Sequence, residues 1–351
     1  YNKSLQGSHT KISLKHRLND KLRLLAGTEW FARTFAMEYP QAEILNQNSY
    51  TTHTLTGFLE AEIYASNSFV TRAGTRFEYS DYLKRASIAP RISAAYKMGG
   101  SSQLSLSYGW FFQDPDDEFL LHTNKLQFER ANHYTLNFLY KGDGRTLHSE
   151  LYYKQYLDLV KYGINAYHAY AFLNNDGNGS AYGLDLFWRD RKSIRNGEYW
   201  ISYSFIESVR NYLDYPYEAA HNYTSRHNLS LVYKHWFDRL RSQLGLNYSI
   251  SSPRPYNNPN SETFNGERTL AYRSLNANWS FLLKQHVILY ATVSNLFGTE
   301  QQFGYRYASM PDEEGYYHSS PVRPGAKRWF LIGCFITLSK DKEINQLDKI
   351  N

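Results

Sequence analysis

Four kinds of reactive group stand out in the sequence, and none has the spacing that would make it act. Asp114, Asp116, Asp117 and Glu118 form an acidic run that could hold a cation or a basic ligand, although most such runs are solvated loops. Asp176-Gly177-Asn178-Gly179 resembles half of a calcium loop, but the distal Glu of a helix–loop–helix site is missing at the required spacing. A Gly/Asn/Asp turn at a loop tip explains the same residues without an ion. Serine, histidine and aspartate are all present, yet no serine lies in a Gly-x-Ser-x-Gly elbow. The single cysteine, Cys334, excludes a disulfide scaffold and a cysteine-based zinc site. It is expected to be a small packed residue within the last strand. No catalytic residue, metal set or cofactor is expected, and the chain does not read as an enzyme.

Rings are what the chain supplies in quantity: 32 Tyr, 20 Phe and 7 Trp. Many fall in three segments expected to be long loops. Residues 158–180 offer Tyr162, Tyr167, His168 and Tyr170, and residues 208–225 offer Asn211, Tyr212, Tyr215, Tyr217 and His221. Residues 298–326 offer Gln301, Gln302, Tyr305, Tyr307, Tyr316, Tyr317 and His318 around the acidic trio Asp312, Glu313 and Glu314. Rings beside a few placed polar groups suit a sugar, a macrocycle or a chelate. The same rings would also serve to pack loops together or to sit in a headgroup belt. The acidic trio disfavours an anion at that loop tip, because like charges repel at short range. The loop is therefore expected to close over a neutral or cationic ligand, or over a surface lipoprotein.

The elements that would carry these loops are strands. Apolar and polar residues alternate with period 2 through Leu104–Trp110, Tyr134–Tyr140, Leu244–Ile250 and Leu275–Phe281. About fifteen such strands can be counted, and helical periodicity is nowhere convincing. Short turns, such as Asn19-Asp20, Gly142-Asp143-Gly144 and Lys284-Gln285, alternate with longer connections near 39–50, 81–86, 113–124, 158–180, 208–225, 253–268 and 298–326. A soluble sandwich has no reason to gather its long loops at one end, whereas an outer-membrane barrel does.

Composition agrees. Mean hydropathy is −0.61, and no stretch reaches the roughly 18 apolar residues of a spanning helix. Neither fact excludes a membrane barrel, in which lipid-facing and lumen-facing residues alternate. Polar faces carry Glu60, Glu62, Arg72, Arg76, Glu78, Arg91, His148, Glu150 and Asp185; the opposite faces carry Leu59, Ile63, Phe77, Ile92, Leu151, Tyr153 and Leu186. A charge facing lipid at mid-depth costs about 2–4 kcal/mol for Arg or Lys, so the charged face is assigned to the lumen. The net charge of +6 is spread along the chain without a basic patch, and no nucleic-acid partner is expected. The opening Tyr1-Asn2-Lys3-Ser4 is neither a signal peptide nor a methionine start, so the chain reads as processed or as a piece of something longer.

Several fragments, in order, resemble the TonB-dependent outer-membrane receptors of the Bacteroidetes type. Glu129-Arg130-Ala131-Asn132-His133-Tyr134-Thr135-Leu136 is similar to the family's Glu-x-x-x-x-Tyr-Glu-Leu strand opening, and Gly183-Leu184-Asp185-Leu186 to its Gly-x-Glu-Leu element. Val293-Ser294-Asn295-Leu296-Phe297 is similar to Val-x-Asn-Leu-Phe, the most specific of the set. Pro324-Gly325-Ala326-Lys327-Arg328-Trp329-Phe330 resembles the start of the closing strand, and Pro90-Arg91 matches more loosely.

The resemblance implies an all-β, antiparallel transmembrane barrel of roughly twenty-two strands with a plugged lumen. This chain would supply the last fifteen or so, with 1–339 as barrel and 340–351 as a polar tail. The usual terminal aromatic gives way to Ser339 and that tail, leaving Phe335 or Leu338 to serve as the assembly signal. The resemblance implies a bacterial outer-membrane location and TonB-energised import of a scarce nutrient: a siderophore, haem, a corrinoid, a peptide or an oligosaccharide. Implied partners are an N-terminal plug with the remaining strands, the TonB–ExbB–ExbD complex, outer-membrane lipids including lipopolysaccharide, and a surface lipoprotein. The alternative is a passive porin or the barrel of a multi-chain translocon.

Overall fold

The computed structural model of the protein describes residues 2–38, 49–164 and 170–338. Its elements are β1 (Asn2–Asn19), β2 (Leu22–Glu38), β3 (Ser49–Tyr64), β4 (Phe69–Ser80), β5 (Arg85–Met98), β6 (Ser102–Gln113), a one-turn helix α1 (Asp117–Leu120), β7 (Glu129–Gly142), β8 (Arg145–Ile164), β9 (Tyr170–Asp190), β10 (Gly197–Asn211), β11 (Ala219–Ala220), β12 (His227–Phe237), β13 (Ser242–Ser251), β14 (Pro255–Tyr256), β15 (Glu267–Arg268), β16 (Tyr272–Lys284), β17 (Val287–Ser294), β18 (Gly304–Tyr307), β19 (Ser319–Val322) and β20 (Trp329–Ile336). One sheet of sixteen strands runs β1 through β10, then β12, β13, β16, β17 and β20, with β11 attached to β10. Fifteen strands thus follow one another along the path, as the alternation predicts. Each is paired with its neighbour along the path, so every second connection needs only two to six residues. At the β7–β8 turn, Asp143 (φ 50°) and Gly144 (φ 71°) both adopt the left-handed backbone that a two-residue hairpin requires, which explains the Asp-Gly pair there. No described helix is long and apolar enough to cross a membrane; any crossing is by strands.

The chain forms two compact units. The first comprises Tyr1–Asn137, Tyr152–Tyr182 and Ser208–Ala219. Register places the charges of β2, β3 and β4 side by side on one face: Arg23 lies opposite Glu62, and Glu62 opposite Arg72. Arg72 reaches Glu62 at 2.8 Å and Glu60 at 3.2 Å, Arg76 reaches Glu78 at 3.2 Å and Glu29 at 3.4 Å, and Lys11 reaches Glu29 at 2.8 Å. The other face presents Leu59, Ile63, Phe77 and Ile92, all exposed. The polarity assignment made from sequence therefore holds across these strands.

At the end of the charged face lies the largest buried apolar cluster. Phe35, Met37 and Tyr50 continue the parity of Arg33 and Thr52, and the loop after β6 folds over them with Phe119, Leu120, Leu121, Leu126 and Phe128. Leu120, Leu126 and Val160 are almost completely buried. Asp116 caps α1 by accepting from the Glu118 amide at 3.1 Å.

The second unit comprises Phe138–Leu151, Gly183–Glu207 and Ala220–Asn351. Its polar face carries small neutral groups, among them Ser202, Ser204, Asn228, Ser230 and Ser249, beside His148 and Asp185. Glu198 is buried against Arg189 (2.6 Å), Arg191 (3.2 Å) and Lys234 (3.8 Å). Leu231, Trp279 and Leu289 are exposed on the opposite face.

Five expectations are corrected. Residues 158–180 are not a long loop, since β8 continues to Ile164 and β9 begins at Tyr170. Asp176-Gly177-Asn178-Gly179 consequently lies within β9 rather than at a loop tip; a Cβ at Gly179 would stand 2.6 Å from the Val209 carbonyl oxygen, so the glycine serves close strand approach. The 81–86 connection shrinks to 81–84. Cys334 is exposed, not packed. In β7 the exposed set runs Tyr134, Leu136, then Leu139, so the expected alternation through Phe138 slips by one residue. Residues 340–351 lie outside the described residues.

Candidate functional site

The predicted ligand residues lie on loops and strand extensions that are already organised among themselves. Tyr162 and Tyr170 stand on the ends of β8 and β9, with ring centroids 4.8 Å apart, and both pack on Phe119 (5.5 and 5.2 Å). They belong to the apolar cluster under the β6–β7 loop. His168 lies outside the described residues. Tyr212 and Tyr215 meet edge to face at 4.9 Å, and Tyr215 is buried, its carbonyl accepting from Lys161 at 3.1 Å. Tyr217 is exposed. The His221 Nδ1 accepts from the Tyr223 amide at 3.2 Å.

The 298–326 segment has a frame of its own. β18 pairs with β19, and the Asn260 side chain clamps Tyr317 from both sides, donating to its carbonyl at 2.9 Å and accepting from its amide at 2.7 Å. Tyr305 packs on Tyr256 at 4.9 Å and lies 6.4 Å from Tyr307. Burial, with the neighbouring Tyr307, pushes the Tyr256 hydroxyl up to about 12. Tyr316 meets His318 at 5.5 Å, and His318 pairs with Asp312 at 2.9 Å. Asp312 also accepts from the amides of Glu314 and Tyr316; the Tyr316 amide is the main reason its carboxyl lies below the ordinary value. Gln302 is buried with its Nε2 unpartnered, while Gln301 is half-buried. The structure thus brings the predicted residues together in pairs: Tyr162 with Tyr170, Tyr212 with Tyr215, Tyr305 with Tyr307, Tyr316 with His318.

Sequence reasoning missed the clasp on the β6–β7 loop. Arg33 reaches Asp114 at 3.2 Å and Asp117 at 3.0 Å, Tyr50 donates to Asp117, Lys3 pairs with Glu118, and Tyr82 donates to the Leu120 carbonyl at 2.6 Å. The acidic run expected to be merely solvated is held on cations of the charged face. Burial pushes the Asp114 carboxyl up to about 6, against the opposing pull of Arg33. Its Oδ1 is buried without a partner. The parity of Arg33 with Glu29 was the available signal. Among the described residues, no three His, Cys, Asp or Glu side chains converge on a metal-sized point.

With this geometry in hand, comparison with known proteins gives a consistent result. The family model described as TonB dependent receptor-like, beta-barrel matches residues 1–296. The fold is similar to the ferric enterobactin receptor of Pseudomonas aeruginosa (TM-score 0.71, 13% identity, 95% of this chain and 54% of that one). It is similar also to the outer membrane transporter YddB of Escherichia coli (0.70, 11%, 95% and 54%) and to the siderophore receptor PirA of P. aeruginosa (0.67, 12%, 96% and 56%). This chain spans about half the length of these solved structures. Comparison with curated proteins gives no match.

Proposed function

The chain belongs to the TonB dependent receptor-like β-barrel family, and on that premise we propose that it forms the outer-membrane barrel wall of a nutrient importer. The observation that carries this reading is the division of faces: exposed Leu59, Ile63, Phe77 and Ile92 on one side, and Glu29, Glu60, Glu62, Arg72 and Arg76 joined by ion pairs on the other. Such a wall is stable with lipid on the first face and a polar lumen on the second. β1 and β20 each have one neighbour in the sheet, and unpaired strand edges in lipid cost several kcal/mol per group. Further strands therefore complete the wall, and a plug fills it. Ring-bearing outer loops capture a scarce nutrient, and TonB, energised by ExbB and ExbD, displaces the plug. No bond in the cargo is made or broken.

A chromosomal deletion of the gene tests this reading in cells limited in turn for iron chelate, haem, corrinoid, peptide and oligosaccharide. The expected result is a growth defect on one nutrient that is reproduced by deleting TonB. A defect that leaves growth independent of TonB would overturn the active-transport reading in favour of a passive pore.

A further inference from the structure

The net charge of +6 is spread along the sequence, but the fold gathers most of it at one end of the second unit. Four short connections there, 141–145, 190–196, 238–241 and 284–286, hold eight Lys or Arg and three Asp or Glu, a net charge of +5. A tight hairpin does not require this: the turns Ser66-Asn67-Ser68 and Gly99-Gly100-Ser101 of the first unit carry no charge.

The four connections are tied into a belt. The Arg191 amide donates to the Gly144 carbonyl at 3.1 Å, Arg145 pairs with Asp190 at 3.0 Å, and Lys192 pairs with Asp143, which joins the first to the second. Asn196 donates to Asp238 at 2.6 Å, and its carbonyl accepts from the Trp236 amide at 2.8 Å. Arg241 donates to the Leu282 carbonyl at 2.7 Å and so reaches the last hairpin. All three carboxylates are therefore engaged inside the belt. Arg195, Arg239 and Lys284 are exposed, and among the described residues no carboxylate lies within 4 Å of any of them. Each of these cations has an exposed apolar residue as its chain neighbour: Ile194 before Arg195, Leu240 after Arg239, Leu283 before Lys284. The pair recurs on three hairpins in a row.

An exposed apolar side chain beside an exposed cation, repeated along an edge, fits a lipid–water boundary. The apolar member sinks toward the acyl chains, and the cation stays at headgroup depth on a phosphate. A free anion would use the cations and leave the apolar side chains in water. Short turns of an outer-membrane barrel face the periplasm, so on the importer reading, which this inference rests on, the surface they meet is the inner leaflet.

We propose that this belt grips anionic phospholipids of the periplasmic leaflet, with headgroup phosphates on Arg195, Arg239 and Lys284 and acyl chains against Ile194, Leu240 and Leu283. It thereby fixes the depth at which this side of the wall rides in the bilayer.

The test uses the full-length receptor, plug included, in a neutral detergent. It is titrated with anionic phosphatidylglycerol or zwitterionic phosphatidylethanolamine of equal chain length, and retained lipid is read by native mass spectrometry. Phosphatidylglycerol is expected to be held about 100-fold more tightly, and Arg195→Gln with Arg239→Gln and Lys284→Gln should erase that preference. Arg195→Lys with Arg239→Lys and Lys284→Arg should keep it, which separates charge from folding. Ile194→Ser with Leu240→Ser and Leu283→Ser should weaken both lipids alike. The proposal is overturned by equal retention of the two lipids, by a Ser variant that binds both as before, or by inorganic phosphate that competes as well as the lipid does. A preference for lipid A overturns it too, since the belt would then lie at the outer leaflet. So does a Gln variant that keeps its lipid preference; if that variant also loses a crosslinked acidic protein, the belt belongs to that partner. Failure of the importer reading shows separately, as growth indifferent to TonB.

Discussion

Two carboxylates in the loops have opposite linkages to pH, and one experiment reads both. Burial raises Asp114 to about 6, above the ordinary carboxyl value of 3.8, so the folded β6–β7 loop holds that proton more tightly than the unfolded chain. Its contribution is complete below about pH 4 and is lost as pH rises through 6, by at most about 3 kcal/mol. Asp312 is depressed by the Tyr316 and Glu314 amides and by His318, so its contribution is present above about pH 4 and lost as pH falls. Limited proteolysis between pH 4 and 8 should show the 114–128 loop protected at the acid end and the 298–326 loop protected at the neutral end. Asp114→Asn should flatten the first profile, because Asp117 still holds Arg33. Neither behaviour was legible in the sequence: an acidic run looks the same whether solvated or clasped, and only the fold brings Arg33 to it.

Strands were the most legible scale, because a half-buried sheet imposes period 2 on any sequence that fits it. The boundaries near 158–180 were not, since Asp176-Gly177-Asn178-Gly179 carries turn residues for a reason of strand contact, the 2.6 Å approach at Gly179. Pairing of Leu244 with Trp279, which is exposed, and the exposure of Leu136 put both leucines on the exposed apolar face, which the proposed function turns toward lipid. Leu136→Arg and Leu244→Arg should each reduce heat-modifiable, folded receptor by about 2–4 kcal/mol of stability, and Asn137→Arg and Gln243→Arg far less. Equal losses would reverse the faces. Among the loops, the β18–β19 hairpin and its Asn260 clamp make 298–326 a built element rather than a tether. At about 29 residues it is well beyond the common connection length. Deleting 306–320 should leave assembly intact by surface labelling while weakening uptake or partner binding by roughly tenfold, about 1.4 kcal/mol. Which rings meet a ligand was not legible, because tyrosines that pack on one another, as Tyr162 and Tyr170 do, have the same composition as tyrosines that wait for cargo.

For the molecule as a whole, the two singly paired strands set the expectation. Residues 1–351 refolded alone should not give a closed, protease-resistant pore, because β1 and β20 would each offer an unsatisfied amide edge to lipid. A conducting barrel from that segment would show that a second copy or a rearranged wall closes it. β20 holds one more consequence. Its pairing puts Cys334 opposite Leu289, among Phe330, Ile332 and Ile336 on the exposed apolar side. On the proposed outer-membrane placement, the only thiol of the chain is reachable from water while the protein is in transit and sunk in hydrocarbon once the last seam is sealed. A water-soluble maleimide applied at intervals after a pulse of synthesis would be taken up by every unfinished molecule and refused by every finished one. The chain thus carries its own clock for the moment of closure, and the half-time of refusal measures how long the periplasm must shield this strand from oxidants.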